Sequence, residues 1–282
     1  MTNKATAELV TKISHSFNYE RKVRGAPGKL WYEHYPRWLS LYAQLMTHRN
    51  ERVVALASGG ERLLDIGTGF GDLLWLLKDR YQELWGLDPS EAMVQQAKDN
   101  LRLRGLCQPL NIARGVAEDL PYDSGFFDTV LMLDVYEHIR PEVRTAALRE
   151  VQRVLKGDGT LILATPSRRM LQFWNAVDGL AMAPRRLWSG HPLQLRLKKR
   201  SFTEEFCTRR ELLEQIDTAG YRLDHFERVG FYPAAENPGF LGSCLKYTYH
   251  IPGIHAGGTR LFQGIAKLQV LNQKLLVRCS PR

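Results

Sequence analysis

Cysteine is scarce in this chain. There are four in 282 residues, Cys107, Cys207, Cys244 and Cys279, and no two form a C-x-x-C pair. So scattered a set excludes a disulfide framework and a thiol-rich zinc site, and the thiols are read as reduced. Long apolar runs are missing as well: no stretch of about 18 uncharged apolar residues could span a bilayer. Met1 to Val10 lacks the pattern of a secretory leader, so a soluble cytoplasmic protein is expected. No internal repeat or low-complexity tract points to a solenoid. Carboxylates are in deficit, 30 against 39 Lys and Arg, which leaves a formal net charge of +9. Such an excess is compatible with nucleic acid, an anionic membrane surface or an acidic substrate. What is present in quantity is apolar material, 44% of the chain, ample for one large α/β core with an accessory cap.

Leu63 to Leu74, LLDIGTGFGDLL, is the most informative stretch. An apolar run carrying Asp65 leads into Gly67, Gly69 and Gly71, and an apolar helical pattern follows. This reads as a buried strand delivering a tight, side-chain-free turn to a helix start, the place where an open α/β sheet receives a nucleotide-like ligand. Glycine tolerates positive φ and lets a ligand touch backbone. The third glycine comes one residue too early for G-x-G-x-x-G, which weakens a nicotinamide reading. Twenty-three residues after Asp65, Glu83 to Asp88 (ELWGLD) reads as a second parallel strand ending in a carboxylate, followed by Pro89, Ser90 and a helical run to Asn100. Asp88 can accept two hydrogen bonds from a ribose diol, or serve as a capping carboxylate with Ser90 at the helix entry.

Five segments in order now resemble one family: DIGTGFG, LDPS, GVAEDLPYDSGFFDTV (Gly115 to Val130), LDVYEHI (Leu133 to Ile139) and LREVQRVLKGDGTLILATPS (Leu148 to Ser167). The series is similar to that of the class I S-adenosylmethionine-dependent methyltransferases, in the small-molecule, type 11 branch that also holds the ubiquinone O-methyltransferases. The likeness is good from Arg62 to Ser167 and moderate over Phe206 to Tyr221. It implies S-adenosyl-L-methionine as cofactor, with the glycine loop against its methionine and ribose portions. By the same resemblance Asp65 lies near the amino group, Asp88 on the ribose hydroxyls and Met93 on the adenine, while Leu133 borders the cofactor at the fourth strand's end. Met93 could equally be a helix-packing residue. Val116 stands where the family often has a carboxylate for the adenine amino group, so backbone at Ala117 or the side chain of Glu118 are the remaining candidates for that contact.

Methyl transfer from a sulfonium needs an aligned acceptor, exclusion of water and, for an oxygen acceptor, loss of a proton. Asp134-Val135-Tyr136-Glu137-His138 follows the fourth strand, next to the expected methyl. Asp134, Glu137 and His138 could converge as ligands of a Mg²⁺ ion that polarises a hydroxyl, as in the similar E-x-x-E-H pattern of the ubiquinone O-methyltransferases and the RNA 3′-terminal 2′-O-methyltransferases. Alternatively His138 acts as a general base near its ordinary pKa of ~6.5, assisted by Asp134, or Glu137 and His138 organise the loop through hydrogen bonds.

The expected architecture is an α/β, doubly wound, mostly parallel seven-stranded sheet of the Rossmann-like methyltransferase type. Four regions make it up: a helical N-terminal lid (1–60), the cofactor-binding core (61–167), an inserted substrate cap (168–208) and a C-terminal part completing the sheet (209–282). Strands are expected near 62–66, 84–88, 109–114, 127–133, 159–165, 221–231 and 273–279, with helices over 91–100 and 208–219. Tyr19, Trp31, Tyr32 and Tyr35 are candidates for closing the lid over the cofactor. In the cap, Gly179 to Thr203 holds six Lys or Arg and no carboxylate. Its segment 185–200 interleaves Trp and Leu with cations, which suits a membrane interface or simply a solvated cap. No RRM or C₂H₂ signature supports nucleic acid as partner, and the oligomeric state is not legible. The reading is methyl transfer to an oxygen, ahead of nitrogen or carbon, of an apolar small molecule such as a phenol, quinol precursor, secondary metabolite or lipid. The alternatives are RNA 2′-O-methylation and a non-catalytic cofactor-binding or scaffold subunit.

Overall fold

The apolar runs around Asp65 and before Asp88 become neighbouring parallel strands, with Leu63 opposite Leu84 and Asp65 opposite Gly86. The structure, a computed structural model, describes residues 40–173, 176, 205–230 and 274–282, with side chains from residue 48 onward. Its strands are β1 (Gly60–Ile66), β2 (Tyr81–Asp88), β3 (Leu110–Arg114), β4 (Phe127–Leu133), β5 (Leu155–Pro166), β6 (Tyr221–Val229) and β7 (Lys274–Pro281). They form one seven-stranded sheet in the order β3-β2-β1-β4-β5-β7-β6. Only β7 runs against its neighbours. The chain winds outward from β1 to β3, then crosses back to place β4 on the other side of β1. That reversal opens a crevice beyond the carboxyl ends of β1 and β4, where α/β sheets take their ligands.

Apolar residues fill both faces of the central strands, and the two-residue period sorts them. Leu64, Ile66, Val130, Met132, Leu161 and Leu163 pack with Ala147, Leu148, Val151 and Val154 of α4 (Arg144–Val154) and with Leu212 and Ile216 of α5 (Arg209–Thr218). Leu63, Leu84, Leu131 and Ile162 point the other way. They meet Leu73, Leu74 and Leu77 of α2 (Asp72–Leu77), Val94 and Leu101 of α3 (Glu91–Leu103), and Val53 of α1 (Ser40–Leu56). Thus α1, placed at the sequence level in the lid, is in its second half one of the helices covering the sheet. Arg80 fastens its end through Nη1 to the carbonyls of Val54 at 2.6 Å and Ala57 at 3.0 Å.

Strand boundaries shift where local sequence is ambiguous. β5 begins at Leu155, earlier than expected: Leu155 pairs with Phe127 of β4 ahead of the Gly-Asp-Gly turn, and Lys156 forms ion pairs with Asp128 at 2.8 Å and Glu61 at 3.1 Å. The register against β4 slips between Phe127 and Thr129 to absorb the Gly-Asp-Gly turn. α5 lies within the helix expected over 208–219 and is closed at its start by a reciprocal capping box: Thr208 Oγ1 accepts from Glu211 N at 3.3 Å and Glu211 Oε2 accepts from Thr208 N at 2.7 Å. Ser90 does sit at the N-terminus of α3, yet its side chain makes no capping bond. Both roots of the expected cap meet at the tip of β5, where Ser167 bridges Cys207 and Arg168 N donates to Cys207 O at 2.9 Å. The basic segment 185–200 and the aromatic residues Tyr19, Trp31, Tyr32 and Tyr35 lie outside the described residues. Among the described residues no helix is long and apolar enough to cross a membrane.

Candidate functional site

The loop leaving β1 is built by backbone constraint. Gly67 N and Thr68 N both donate to Leu87 O, at 2.7 and 3.1 Å, which folds the chain over the end of β2. Gly67 has φ 73°, and a Cβ there would lie 2.3 Å from Val135 Cγ2, so no side chain fits. Gly71 enters α2 at φ 77° with Leu101 Cδ1 only 2.8 Å from where a Cβ would stand. Asp88 joins the two strand tips: Oδ2 accepts from Gly69 N at 3.1 Å and Oδ1 from Ser90 N at 2.9 Å. It thus lies beside the loop and braces the helix entry at Ser90, and each carboxylate oxygen keeps lone-pair capacity for a further donor.

Three carboxylates ring this loop, Asp65, Asp72 and Asp88, all buried. Burial pushes Asp88 up to about 6, against the backbone donors of Ser90 and Gly69. Burial likewise raises Asp65 to about 7, with the charges of Asp88 and Asp72 adding to it and Thr68 and Arg49 opposing. A cation or hydroxyl-rich ligand relieves such crowding by supplying charge and donors. An adenosyl sulfonium carrying an ammonium fits this donor set, with Asp65 and Asp88 to hold it and the side-chain-free loop to admit it. Met93 is buried on α3, Ala117 is buried in the core, and Leu133 is buried at the end of β4. Glu118 is half-buried, and burial raises its carboxyl.

Across the crevice, the turn after β4 presents the second group. Asp134 adopts φ 58°, an uncommon conformation for a residue with a side chain, while its N–H bonds Ala164 O at 2.9 Å. Its Oδ2 accepts from Arg49 Nη1 at 2.5 Å and from the Lys274 ammonium. Burial works to raise this carboxyl, but Lys274 and Arg49 outweigh it and hold it below the usual range. Glu137 is buried, accepts from Thr165 Oγ1 at 3.0 Å, and is pushed up to about 8 by burial and by the Asp134 charge. Burial lowers His138 to about 4, with Asp134 opposing. Arg144 stacks 4.6 Å over the Tyr136 ring and donates to Ile139 O at 3.0 Å, so this turn is rigidly anchored.

Among the described residues no group of three His, Cys, Asp or Glu side chains is gathered so as to hold a metal ion, and Asp134, Glu137 and His138 each turn to other surroundings. Asp134 takes its positive charge from Arg49 and Lys274, and Glu137 turns to Thr165. Burial that lowers His138 to about 4 favours its neutral form at physiological pH and makes it a weaker base than an ordinary imidazole. The sequence reading missed Arg49 and Lys274. Lys274 carried a faint signal, a cation directly ahead of the apolar run Leu275–Val277; Arg49 carried none.

The comparisons with known proteins agree with this geometry. The methyltransferase-domain family model matches residues 64–163. A malonyl-[acyl-carrier protein] O-methyltransferase of Geobacter sulfurreducens is 30% identical over 214 residues, covering 73% of this chain and 74% of the relative. A ubiquinone/menaquinone biosynthesis C-methyltransferase of Shewanella frigidimarina is 30% identical over 42% of this chain and 49% of its own. The chain thus spans only about half the length of some curated relatives it matches. Among solved structures, the PH0226 protein of Pyrococcus horikoshii superposes with a TM-score of 0.56 at 18% identity, over 90% of this chain and 99% of that one, a likeness of fold. Glycine loop, paired strand-end carboxylates, sheet order and relatives together establish that the chain belongs to the class I S-adenosylmethionine-dependent methyltransferases.

Proposed function

We propose that this methyltransferase acts on an oxygen of an apolar small molecule such as a phenol, a quinol precursor, a secondary metabolite or a lipid. The observation that carries the reading is the state of Asp134: its charge is already taken by Arg49 and Lys274, so the turn after β4 offers no uncompensated carboxylate to hold an amine. The printed name of the Geobacter sulfurreducens relative, an O-methyltransferase, supports oxygen as the target. When bound, S-adenosylmethionine supplies a methyl on a sulfonium sulfur, which an oxygen lone pair takes up as the carbon–sulfur bond breaks and its electron pair returns to sulfur.

The chain's own residues have the remaining tasks. Asp65 and Asp88 hold the cofactor's polar groups, and Leu133, Met93 and Ala117 supply apolar surface around it. His138, neutral, orients the acceptor by hydrogen bonding, and Asp134 fixes the two cations beside it. The test is calorimetric binding of S-adenosylmethionine and S-adenosylhomocysteine, followed by transfer of labelled methyl groups to cell extracts. Label in solvent-extractable, alkali-stable ethers or in esters supports the reading. Label confined to amines or to RNA, or binding without transfer to any fraction, refutes it.

A further inference from the structure

The inner stripe of α3 is apolar except at one place. Met93, Val94, Ala97 and Leu101 are buried at helical spacing, and Asn100, 4% exposed, stands in the same stripe where the period calls for an apolar side chain. A buried amide is costly unless its hydrogen bonds are made, so its partner is informative. Asn100 Nδ2 donates to Phe70 O at 3.0 Å, across 30 residues of chain. Phe70 is the residue between the last two glycines of the cofactor loop. The neighbouring Leu101 seats the same corner, its Cδ1 lying 2.8 Å from where a Cβ of Gly71 would stand. Two consecutive residues of α3, one polar and one apolar, therefore form a seat for the loop.

The rest of the loop is held from the strands and by its own turn. Gly67 N and Thr68 N donate to Leu87 O, Gly69 N to Asp88 Oδ2 at 3.1 Å, and Gly71 N back to Thr68 O at 2.9 Å. The Phe70–Gly71 peptide is thus fixed at both of its polar ends, its N–H on Thr68 O and its carbonyl on Asn100. It lies between Gly69 at φ 54° and Gly71 at φ 77°, hinge points with no Cβ to restrict them. Released from Asn100, this peptide can rotate about both glycines; pinned, it keeps the loop in one shape before any ligand arrives.

We propose that Asn100 is a positioning residue for the cofactor: shielded from the crevice by its own burial, it acts through the Phe70 carbonyl to hold the glycine loop in its binding shape. This rests on the placement of S-adenosylmethionine at that loop and adds a residue that does not touch it. Asp88 and Asn100 then divide the task. Asp88 holds Gly69 N and keeps lone pairs for the ligand, while Asn100 holds Phe70 O from α3.

The test uses the full chain and S-adenosylhomocysteine, titrated by calorimetry well below the ligand-free thermal midpoint of each variant. Asn100→Leu keeps the branched outline of the side chain but has no donor, and Asn100→Gln keeps the amide. We expect Asn100→Leu to bind the ligand at least about tenfold more weakly than the parent, the scale of a buried carbonyl losing its donor, and Asn100→Gln to stay within about threefold. Should Asn100→Leu fold poorly, Asn100→Asp is the second variant; without the amide donor it should show the same loss. A structural part alone would lower the thermal midpoint and leave the affinity of the folded protein as it was, so unchanged affinity in whichever of these two is folded overturns the proposal. An equal loss in Asn100→Gln shows that the amide is not what matters and overturns it as well. Failure of the parent to bind S-adenosylhomocysteine overturns the cofactor reading itself, whereas binding by the parent with no loss in the variants refutes the role of Asn100 alone.

Discussion

Replacing Asp88 by Asn separates cofactor binding from fold support, because the two should move in opposite directions. The side chain keeps its size, and one oxygen can still accept from either Gly69 N or Ser90 N, but the amide NH₂ then faces the other donor. Losing that bond costs about 1–2 kcal/mol. Against this, a carboxyl raised from 3.8 to about 6 is a charge the fold pays to bury. At about 1.4 kcal/mol per tenfold change in proton affinity, removing it at neutral pH returns about 3 kcal/mol. The ligand-free variant is therefore expected to be as stable as the parent or about 1–2 kcal/mol more stable, a rise in thermal midpoint of a few degrees. S-adenosylmethionine should bind more weakly by about 1–3 kcal/mol, roughly 5- to 150-fold, the scale of hydrogen bonds to a charged group. Differential scanning calorimetry without ligand and isothermal titration with it read the two quantities. A variant that melts earlier yet binds the cofactor with unchanged affinity would refute the reasoning and leave Asp88 as a loop staple.

Other outcomes follow from the same electrostatics. Asp65 at about 7 and Glu137 at about 8 bind protons more tightly folded than unfolded, so from about pH 6.5 to 8 ligand-free stability should fall as pH rises. Cofactor affinity should strengthen over the same range as Asp65 ionises; a thermal midpoint that climbs through this window contradicts both assignments. Below it, His138 at about 4 acts in the opposite sense, its stabilising contribution being lost as the pH falls from 6.5 through 4. His138→Ala should lower kcat with cofactor Kd unchanged, whereas His138→Gln, which still hydrogen-bonds, should keep most of the turnover; equal losses in the two variants would restore a base. Chelators should leave methyl transfer unaffected, and a metal-dependent rate would point back to Asp134, Glu137 and His138 as metal ligands.

Much of the molecule can be read along the chain because it is written in local rules. Three glycines at alternate positions beside a buried strand can serve few purposes, and Gly67 and Gly71 do occupy left-handed backbone that a Cβ would block. The alternation of strand and helix patterns placed β1, β4 and most of β5, and the helix expected over 208–219 is α5. Where a strand end moved, as at Leu155, the added residues pair with Phe127 and carry ion pairs to Asp128 and Glu61, partners that no window of sequence contains.

The chemistry after β4 was a different matter. DVYEH contains the atoms of a metal site, and residue types alone could not tell whether they would converge. Folding brings Arg49 across 85 residues and Lys274 across 140 onto one oxygen of Asp134, partners that DVYEH itself does not announce. It also buried His138 deeply enough to hold it neutral. Backbone conformation answers to neighbours in the chain, while charge state answers to burial and to partners in space. Hence the cofactor cradle was visible in the residues, and the character of the acceptor side emerged only once the sheet had closed around it.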